Sequence, residues 1–201
     1  MSPRSSAAEA SRTREAIVAE VVSRASVEGL EGITIGTVAD GLGMSKAGVV
    51  GPFGSKRELQ LAALEGAIEI FRAEVWERAA ASSPGLDRLR AIAEHWISYL
   101  ERDVFPGGCF LTAAAAEFDG RPGRVRDAVS ATLRRWGAVL EAEARTAIEH
   151  GDLDPGTDPA QVAFELNAIA MAVNQARQLR ADPDAGRRGR IAMARALGPA
   201  R

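Results

Sequence analysis

Apolar positions recur along most of this chain at spacings of three and four residues, which is typical of amphipathic helices. The first such segment runs from Ser11 to a glycine stop at Gly29. Its apolar face consists of Ile17, Val21, Val22 and Ala25. No segment shows sustained alternation of apolar and polar residues, so no β-sheet is expected. The pattern therefore predicts an all-α fold.

Capping residues and glycines divide the next part of the chain into two short helices. Thr34 is a favourable N-cap for a helix that ends at Gly43. Ser45 can cap a second short helix, which Gly51 and Pro52 terminate. Two short helices joined by a glycine-containing turn have the layout of a helix-turn-helix.

Longer helices are predicted after this motif. Ser55 and Glu58 have the spacing of a capping box and open a long helix. Asp158, Pro159 and Gln161 combine an N-cap, a proline at the first helical position and a box partner. Glycine- and proline-rich breaks separate the later helices. These helices are predicted at about 86–102, 109–119, 122–150, 158–180 and 184–197.

The predicted order of elements divides the chain into three parts. Residues 1–11 are expected to form a flexible basic arm, residues 12–58 a three-helix domain that contains the helix-turn-helix, and residues 59–201 a larger helical domain. The long helix that opens at Ser55 crosses the boundary at residue 58 and continues into the larger domain.

Composition narrows the possible functions. The net charge of −2 means that any nucleic-acid surface must be local. Cys109 is the only cysteine, so no disulfide can form within the chain, as expected for a reducing cytoplasm. The chain has no run of about 18 apolar residues, so no segment is expected to span a membrane, and the N-terminus lacks the apolar core of a signal peptide. Two histidines and one cysteine cannot supply a four-ligand His/Cys zinc site, and no cofactor is predicted.

Charge is unevenly distributed around the helix-turn-helix. No acidic residue occurs from Gly41 to Arg57, whereas both lysines of the chain, Lys46 and Lys56, lie there. The first turn of the second helix is the part that meets base edges when such a helix enters the major groove. That turn contains Ser45, Lys46 and Ala47. Thr34 and Lys56 stand at helix starts that can contact phosphate. The basic arm would add Arg4, Arg12 and Arg14.

Residues 12–64 resemble the N-terminal DNA-binding domain of TetR-type transcriptional regulators. The matching features are the first helix ending in Gly29, then GLEGITIGTVADGLGMSKAGV, then FGSKREL. The resemblance implies that Thr34 and Lys56 contact phosphates and that Phe53 anchors the core. It implies that the groove is read by Ser45, Lys46 and Ala47.

Two positions depart from the family pattern. Family members usually have an aromatic residue, often tyrosine, where this chain has Val50, and often histidine where it has Pro52. Their absence should remove polar phosphate contacts, although Val50 could meet a thymine methyl group.

The resemblance also implies a C-terminal domain that dimerises and holds a small, largely apolar effector. Dimerisation would use helices at about 158–180 and 184–197, with Arg187, Arg188 and Arg190 on a solvated face. A pocket would be lined by Trp96, Tyr99, Phe110, Phe118, Trp136, Asn167 and Met171. The aromatic residues could equally be ordinary core, and the asparagine could line a polar seam across a dimer or meet solvent.

The function predicted from these features is a homodimeric transcriptional repressor. A small molecule would release it from a palindromic double-stranded DNA operator. The sequence does not exclude activation. One alternative is a helical protein-binding adaptor that has lost DNA binding. The other is a small enzyme using Cys109, which follows Gly107 and Gly108, although no base-and-orienter pattern supports catalysis.

Overall fold

The computed structural model describes residues 3–198, with side chains from residue 7 onward. This part of the chain contains no strand, and the all-α fold is confirmed. None of its helices has the length and apolar character needed to cross a membrane. The α-helices are α1 Pro3–Glu28, α2 Ile35–Leu42, α3 Lys46–Val50, α4 Lys56–Phe71, α5 Leu86–Glu101, α6 Phe110–Phe118, α7 Arg124–Glu149, α8 Pro159–Arg180 and α9 Ala185–Ala196.

The predicted N-caps form the hydrogen bonds expected of them. The Thr34 hydroxyl accepts the Thr37 N–H at 3.1 Å, and the Ser45 hydroxyl accepts the Gly48 N–H at 3.0 Å. The Asp158 carboxylate begins α8 by accepting the Ala160 N–H at 2.9 Å. These helix starts were predictable because a cap acts within one turn of its own helix.

Two helical features differ from the prediction. Helix α1 begins at Pro3 instead of Ser11, because the three alanines among residues 3–10 favour helix without an apolar stripe. Residues 1 and 2 of the predicted arm, and the side chain of Arg4, lie outside the described residues. A π-helical stretch, Arg72–Glu77, directly follows α4.

Contacts group the chain into two compact units. The first contains Met1–Glu69 and Phe105–Val129, and the second contains Ile70–Val104 and Ser130–Arg201. The division falls within α4 and within α7. The first unit therefore includes residues 105–129, which the sequence-based division assigned to the C-terminal domain.

In the first unit, α6 and the segment before it pack against the end of α1. The Gly107 N–H donates to the hydroxyl of the buried Ser26 at 3.1 Å. The Glu117 carboxylate accepts the backbone N–H groups of Leu30 at 2.7 Å and Glu31 at 2.9 Å. These bonds fix the turn between α1 and α2. The apolar α1 residues predicted from the pattern are all buried.

In the second unit, α5 packs against α8, α9 and the π-helical stretch. The close approach around α9 depends on Gly189. A Cβ atom at this position would lie 2.5 Å from Val173 Cγ2 and 2.9 Å from Ile97 Cδ1. A larger residue would therefore push these helices apart.

Arg190 is not simply part of a solvated face, as the sequence pattern suggested. Its guanidinium donates to Glu101 at 2.7 and 2.9 Å and to Glu94 at 2.8 and 2.9 Å. Arg187 and Arg188 are exposed, as predicted. Arg190 differs because the fold brings two carboxylates from α5 to it.

This arrangement gives a pH-dependent contribution to stability. Hydrogen bonding from Arg190 lowers the pKa of Glu101. A lowered folded-state pKa stabilises the protein above the unfolded pKa, and this contribution is lost as pH falls through the folded pKa. We expect Glu101→Gln to lower the melting temperature at pH 7. The deficit should shrink below about pH 4.3, the ordinary glutamate pKa. Melting curves from pH 7 to pH 3 would test this, and a deficit independent of pH would contradict it.

Candidate nucleic-acid interface

The turn between α2 and α3 is fixed by Gly43. Its backbone lies in the left-handed region, at φ 61° and ψ 32°, where glycine is favoured. The Gly43 N–H bonds to the Ala39 and Asp40 carbonyls, and the Met44 N–H donates to the Ala39 carbonyl at 2.9 Å. These bonds satisfy the end of α2 and set the direction in which α3 leaves it.

Helix α3 is only five residues long and is too short to be stable alone. Two apolar side chains hold it: Val49 is fully buried, and Phe53 is 9% exposed just beyond the helix end. The Arg14 guanidinium of α1 lies 4.9 Å from the Phe53 ring centroid, within cation–π distance. The predicted role of Phe53 as a core anchor is confirmed.

The opposite side of α3 faces solvent. Ser45, Lys46 and Ala47, which were predicted to read the groove, are all exposed at its start. The Lys46 side chain passes beside Gly36 of α2, where an added Cβ would lie 3.5 Å from Lys46 Cε. Val50 is half-buried and so presents less surface than these three. Because Val49 and Phe53 hold α3 from one side, its exposed first turn on the other side is free to enter a DNA groove.

The two residues predicted to contact phosphate already have partners within the protein. Thr34 is exposed, but its hydroxyl caps α2. The Lys56 ammonium donates to the Glu31 carbonyl at 2.7 Å and lies 4.0 Å from the Glu31 carboxylate. Sequence reasoning missed Glu31, because a contact across 25 residues leaves no local pattern.

The residues predicted to form a ligand pocket are divided between the two units. Trp96, Tyr99 and Trp136 surround Phe71 in the second unit, with ring centroids 5.1–5.6 Å from it in edge-to-face geometry. Phe71 was not among the predicted residues. The buried indole N–H of Trp136 has no hydrogen-bond partner among the described residues. Such a group is costly unless something accepts from it.

The other predicted pocket residues are distributed over both units. Phe110 and Phe118 are buried in the first unit. Asn167 is half-buried on α8, and its amide donates to the sulfur of Met171 at 3.4 Å. Met171 itself is 44% exposed, which does not suit a residue lining an enclosed pocket.

Helices α8 and α9 carry apolar side chains on their outer surfaces. Phe164 is 68% exposed and Leu179 is 77% exposed. Together with Met171 they lie on one side of α8, at spacings of seven and eight residues. On α9, Ile191 is also exposed. We call these four residues the apolar outer face.

Cys109, the residue that the enzyme alternative depends on, stands at the start of α6 and is only 4% exposed. Burial suits a small apolar side chain in the core. It does not suit a nucleophile that must meet a substrate.

Comparison with known proteins identifies the family. Residues 85–193, more than half of the chain, match the family described as tetracyclin repressor-like, C-terminal domain. No curated protein sequence matches the chain.

The chain is also similar to solved structures over nearly its whole length. A TetR transcriptional regulator from Chloroflexus aurantiacus J-10-FL is 25% identical, with a TM-score of 0.86, and the match covers 93% of this chain and 94% of that one. AibR, solved with isovaleryl coenzyme A and operator DNA, is 22% identical with a TM-score of 0.68, covering 81% and 86%. A cysteine mutant of CifR, solved with a 26-bp operator duplex, is 20% identical with a TM-score of 0.75, covering 91% and 94%. On the family match to its C-terminal half, this chain belongs to the TetR family of transcriptional regulators.

Proposed function

We propose that the protein is a homodimeric, ligand-responsive repressor that binds a palindromic operator in the cytoplasm. The observation that carries this proposal is the exposed first turn of α3, held from behind by Val49 and Phe53. The groove would be read by Ser45, Lys46 and Ala47. Thr34 and Lys56 would contact phosphates. The solved complexes of AibR and CifR with operator DNA support the same use of this fold.

A dimer is supported by the apolar outer face of α8 and α9. Four large apolar side chains in water favour association with a matching surface, and a second copy supplies one by two-fold symmetry. Met171 is better explained by this face than by the effector pocket. Dimerisation matters for operator recognition, because two identical heads read the two halves of a palindrome.

An effector site is supported by the aromatic cluster of the second unit. Trp96, Tyr99 and Trp136 pack edge to face around Phe71, and the indole N–H of Trp136, which has no partner among the described residues, offers a donor. A largely apolar molecule with one acceptor would suit this chemistry. By differential affinity for two states of the dimer, such a molecule would release the operator.

The two lysines should affect DNA binding in different ways. Lys46→Ala is expected to lower affinity by about 1–3 kcal/mol and to relax the preference for one base, because it removes a contact in the groove. Lys56→Ala should weaken binding to all sequences and reduce the salt dependence by about one phosphate contact per protomer. Binding to upstream intergenic DNA and to duplexes selected from a random pool, measured across a salt series, separates the two effects.

Three results would count against the proposal. If the wild-type protein bound neither DNA at low salt, operator binding would be excluded. If both variants lost affinity equally on every sequence, Lys46 would not read bases. If Lys46→Ala bound as the wild type does, α3 would not be the recognition helix.

A further inference from the structure

A concave basic surface lies in the first unit, beside the start of α4. It is a cleft of about 510 Å³ between the turn after α1, the first turn of α4, and the segment that joins α6 to α7. Five cationic side chains line it: Lys56, Arg57, Arg121, Arg124 and Arg126. Glu31 is the one acidic residue in its lining. We call this surface the basic cleft.

The positive charge of the basic cleft is only partly neutralised. Arg124 pairs with Glu58, and Arg126 lies 3.9 Å from the Asp127 carboxylate. Lys56 is engaged by Glu31, as described above. Arg57 and Arg121 are exposed, and their guanidinium groups form no ion pair or hydrogen bond with the described residues. These two guanidinium groups remain available for an anionic partner.

The walls of the cleft are fixed by bonds within the protein. The amide of Gln60, which is 5% exposed, donates to the Leu30 carbonyl at 3.0 Å and to the Glu31 carboxylate at 2.8 Å. On the other side, Arg126 Nε donates to the Asp119 carbonyl at 3.1 Å. The backbone segments that carry Arg57 and Arg121 are therefore in place before an anion arrives, and only their two side chains must be ordered on binding.

We propose that the basic cleft binds phosphates of the DNA backbone beside the operator half-site, through Arg57 and Arg121. This inference rests on the proposed function of α3 as the recognition helix. Planar guanidinium groups match phosphate oxygens in bidentate geometry. The contact adds a positioning surface outside the helix-turn-helix, built from the α6–α7 segment.

DNA suits the cleft better than a small enclosed ligand for two reasons. The cleft shares Lys56 and Arg57 with the start of α4, and it belongs to the same compact unit as α3. Its arginines also remain largely in water: the Arg124 side chain is 62% exposed and that of Arg126 is 48% exposed. Hydrated cations favour a partner that stays hydrated itself, as the backbone of a duplex does.

The test compares the full-length protein with Arg57→Gln/Arg121→Gln. A matched control, Arg134→Gln/Arg145→Gln, removes the same charge from exposed positions on α7 outside the cleft. Duplexes selected from a random pool are prepared with short and with extended flanks, and affinity is measured across a salt series. Loss of two phosphate contacts from each protomer, four for the operator-bound dimer, should reduce the slope of log affinity against log salt by about 3.6. The base preference should stay unchanged.

Two further comparisons, of duplexes with short and extended flanks and of variants that keep the charge, test whether the cleft contacts the DNA backbone. Extended flanks should raise the affinity of the wild type and of the control, but not that of the cleft variant. Arg57→Lys/Arg121→Lys should restore most of the salt slope, because it keeps both charges. Circular-dichroism melting of each variant verifies that the fold is retained. The Arg57 and Arg121 guanidinium groups have no partners to lose among the described residues, whereas the control loses the exposed bonds from Arg134 to Ser130 and from Arg145 to Glu141.

The outcomes separate this inference from the proposed function. If the wild type bound no DNA, both would be overturned. If DNA binding required Lys46 but the cleft variant behaved as the control does, the cleft inference alone would fail. Calorimetric binding of pyrophosphate that is lost in the cleft variant, with unchanged salt slopes on DNA, would instead assign the cleft to a small phosphorylated molecule and overturn the DNA contact.

Discussion

Gly107→Ala is expected to destabilise the protein more than other substitutions to alanine at exposed loop glycines. An added Cβ would lie 1.7 Å from the Ser26 carbonyl oxygen and 2.3 Å from its carbon. Both are backbone atoms at the end of α1, so no side-chain rotation relieves the clash. We expect a cost of about 3 kcal/mol or more, at the upper end for overpacking. For a protein of this size that lowers the melting temperature by roughly 6–12 °C.

The matched control is Gly120→Ala in the same unit. A Cβ there would meet no other atom within 4 Å, and its backbone does not require glycine. Calorimetry or thermal melting of both variants would check the comparison. Equal melting temperatures would mean that the segment before α6 moves away from α1 at little cost. The bond between Gly107 and Ser26 would then not hold that segment.

Glu143→Ala should have the second large effect. The Glu143 carboxylate accepts the Gly85 N–H at 2.8 Å and the Arg88 guanidinium at 3.0 Å. Both side chains are largely buried, with 10% of Glu143 and 17% of Arg88 exposed. Removing one partner leaves a buried cation without its anion, which costs about 3–5 kcal/mol. Denaturant unfolding would measure the loss.

The neighbouring surface pair on α7 provides the control. Glu141 and Arg145, which are four positions apart, pair at 2.7 Å, and Glu141→Ala should cost only about 0.3–0.5 kcal/mol. Replacing the buried pair together, as Arg88→Met/Glu143→Leu, should recover much of the stability lost in Glu143→Ala. If Glu143→Ala and Glu141→Ala cost the same, water must reach the buried pair.

The helices of this fold could be predicted from sequence because their ends are marked locally. Thr34, Ser45 and Asp158 each cap a helix by bonding within the next three residues, so a short stretch of sequence contains the whole signal. The same reasoning wrongly predicted a capping-box bond from Gln161. Its amide bonds to Glu165 at 2.8 Å, one turn further along, instead of closing a capping box.

Contacts between distant parts of the chain were not predictable in this way. Arg190 meets Glu101 across 89 residues, and its apolar neighbours on α9 gave no indication of a carboxylate partner. The π-helical stretch could not be predicted from the sequence either, because six residues are too few to distinguish its period from that of an α-helix. The basic cleft was missed because Arg57 and Arg121 are brought together only by the fold.

The residues of the predicted pocket belong to both units. Aromatic residues in the middle of the chain suggested one ligand site, but Phe110 and Phe118 lie in the core of the first unit and Trp96 in that of the second. Large apolar side chains are buried wherever a core forms, so their nearness in sequence does not mark a single cavity. The DNA-contact residues remain predictions, supported by the exposure of the first turn of α3.

The bond between Lys56 and the Glu31 carbonyl has a consequence for how binding energy would be divided between the two lysines. A free lysine side chain loses about 2 kcal/mol of rotamer entropy when it is held in one conformation. Lys56 is already held by Glu31 in the folded protein, and its ammonium retains two further donors for a phosphate. In the proposed complex the exposed Lys46 would be ordered only on meeting the groove. Lys56 is therefore preorganised, and Lys46 is left adaptable at the position where sequence would be read.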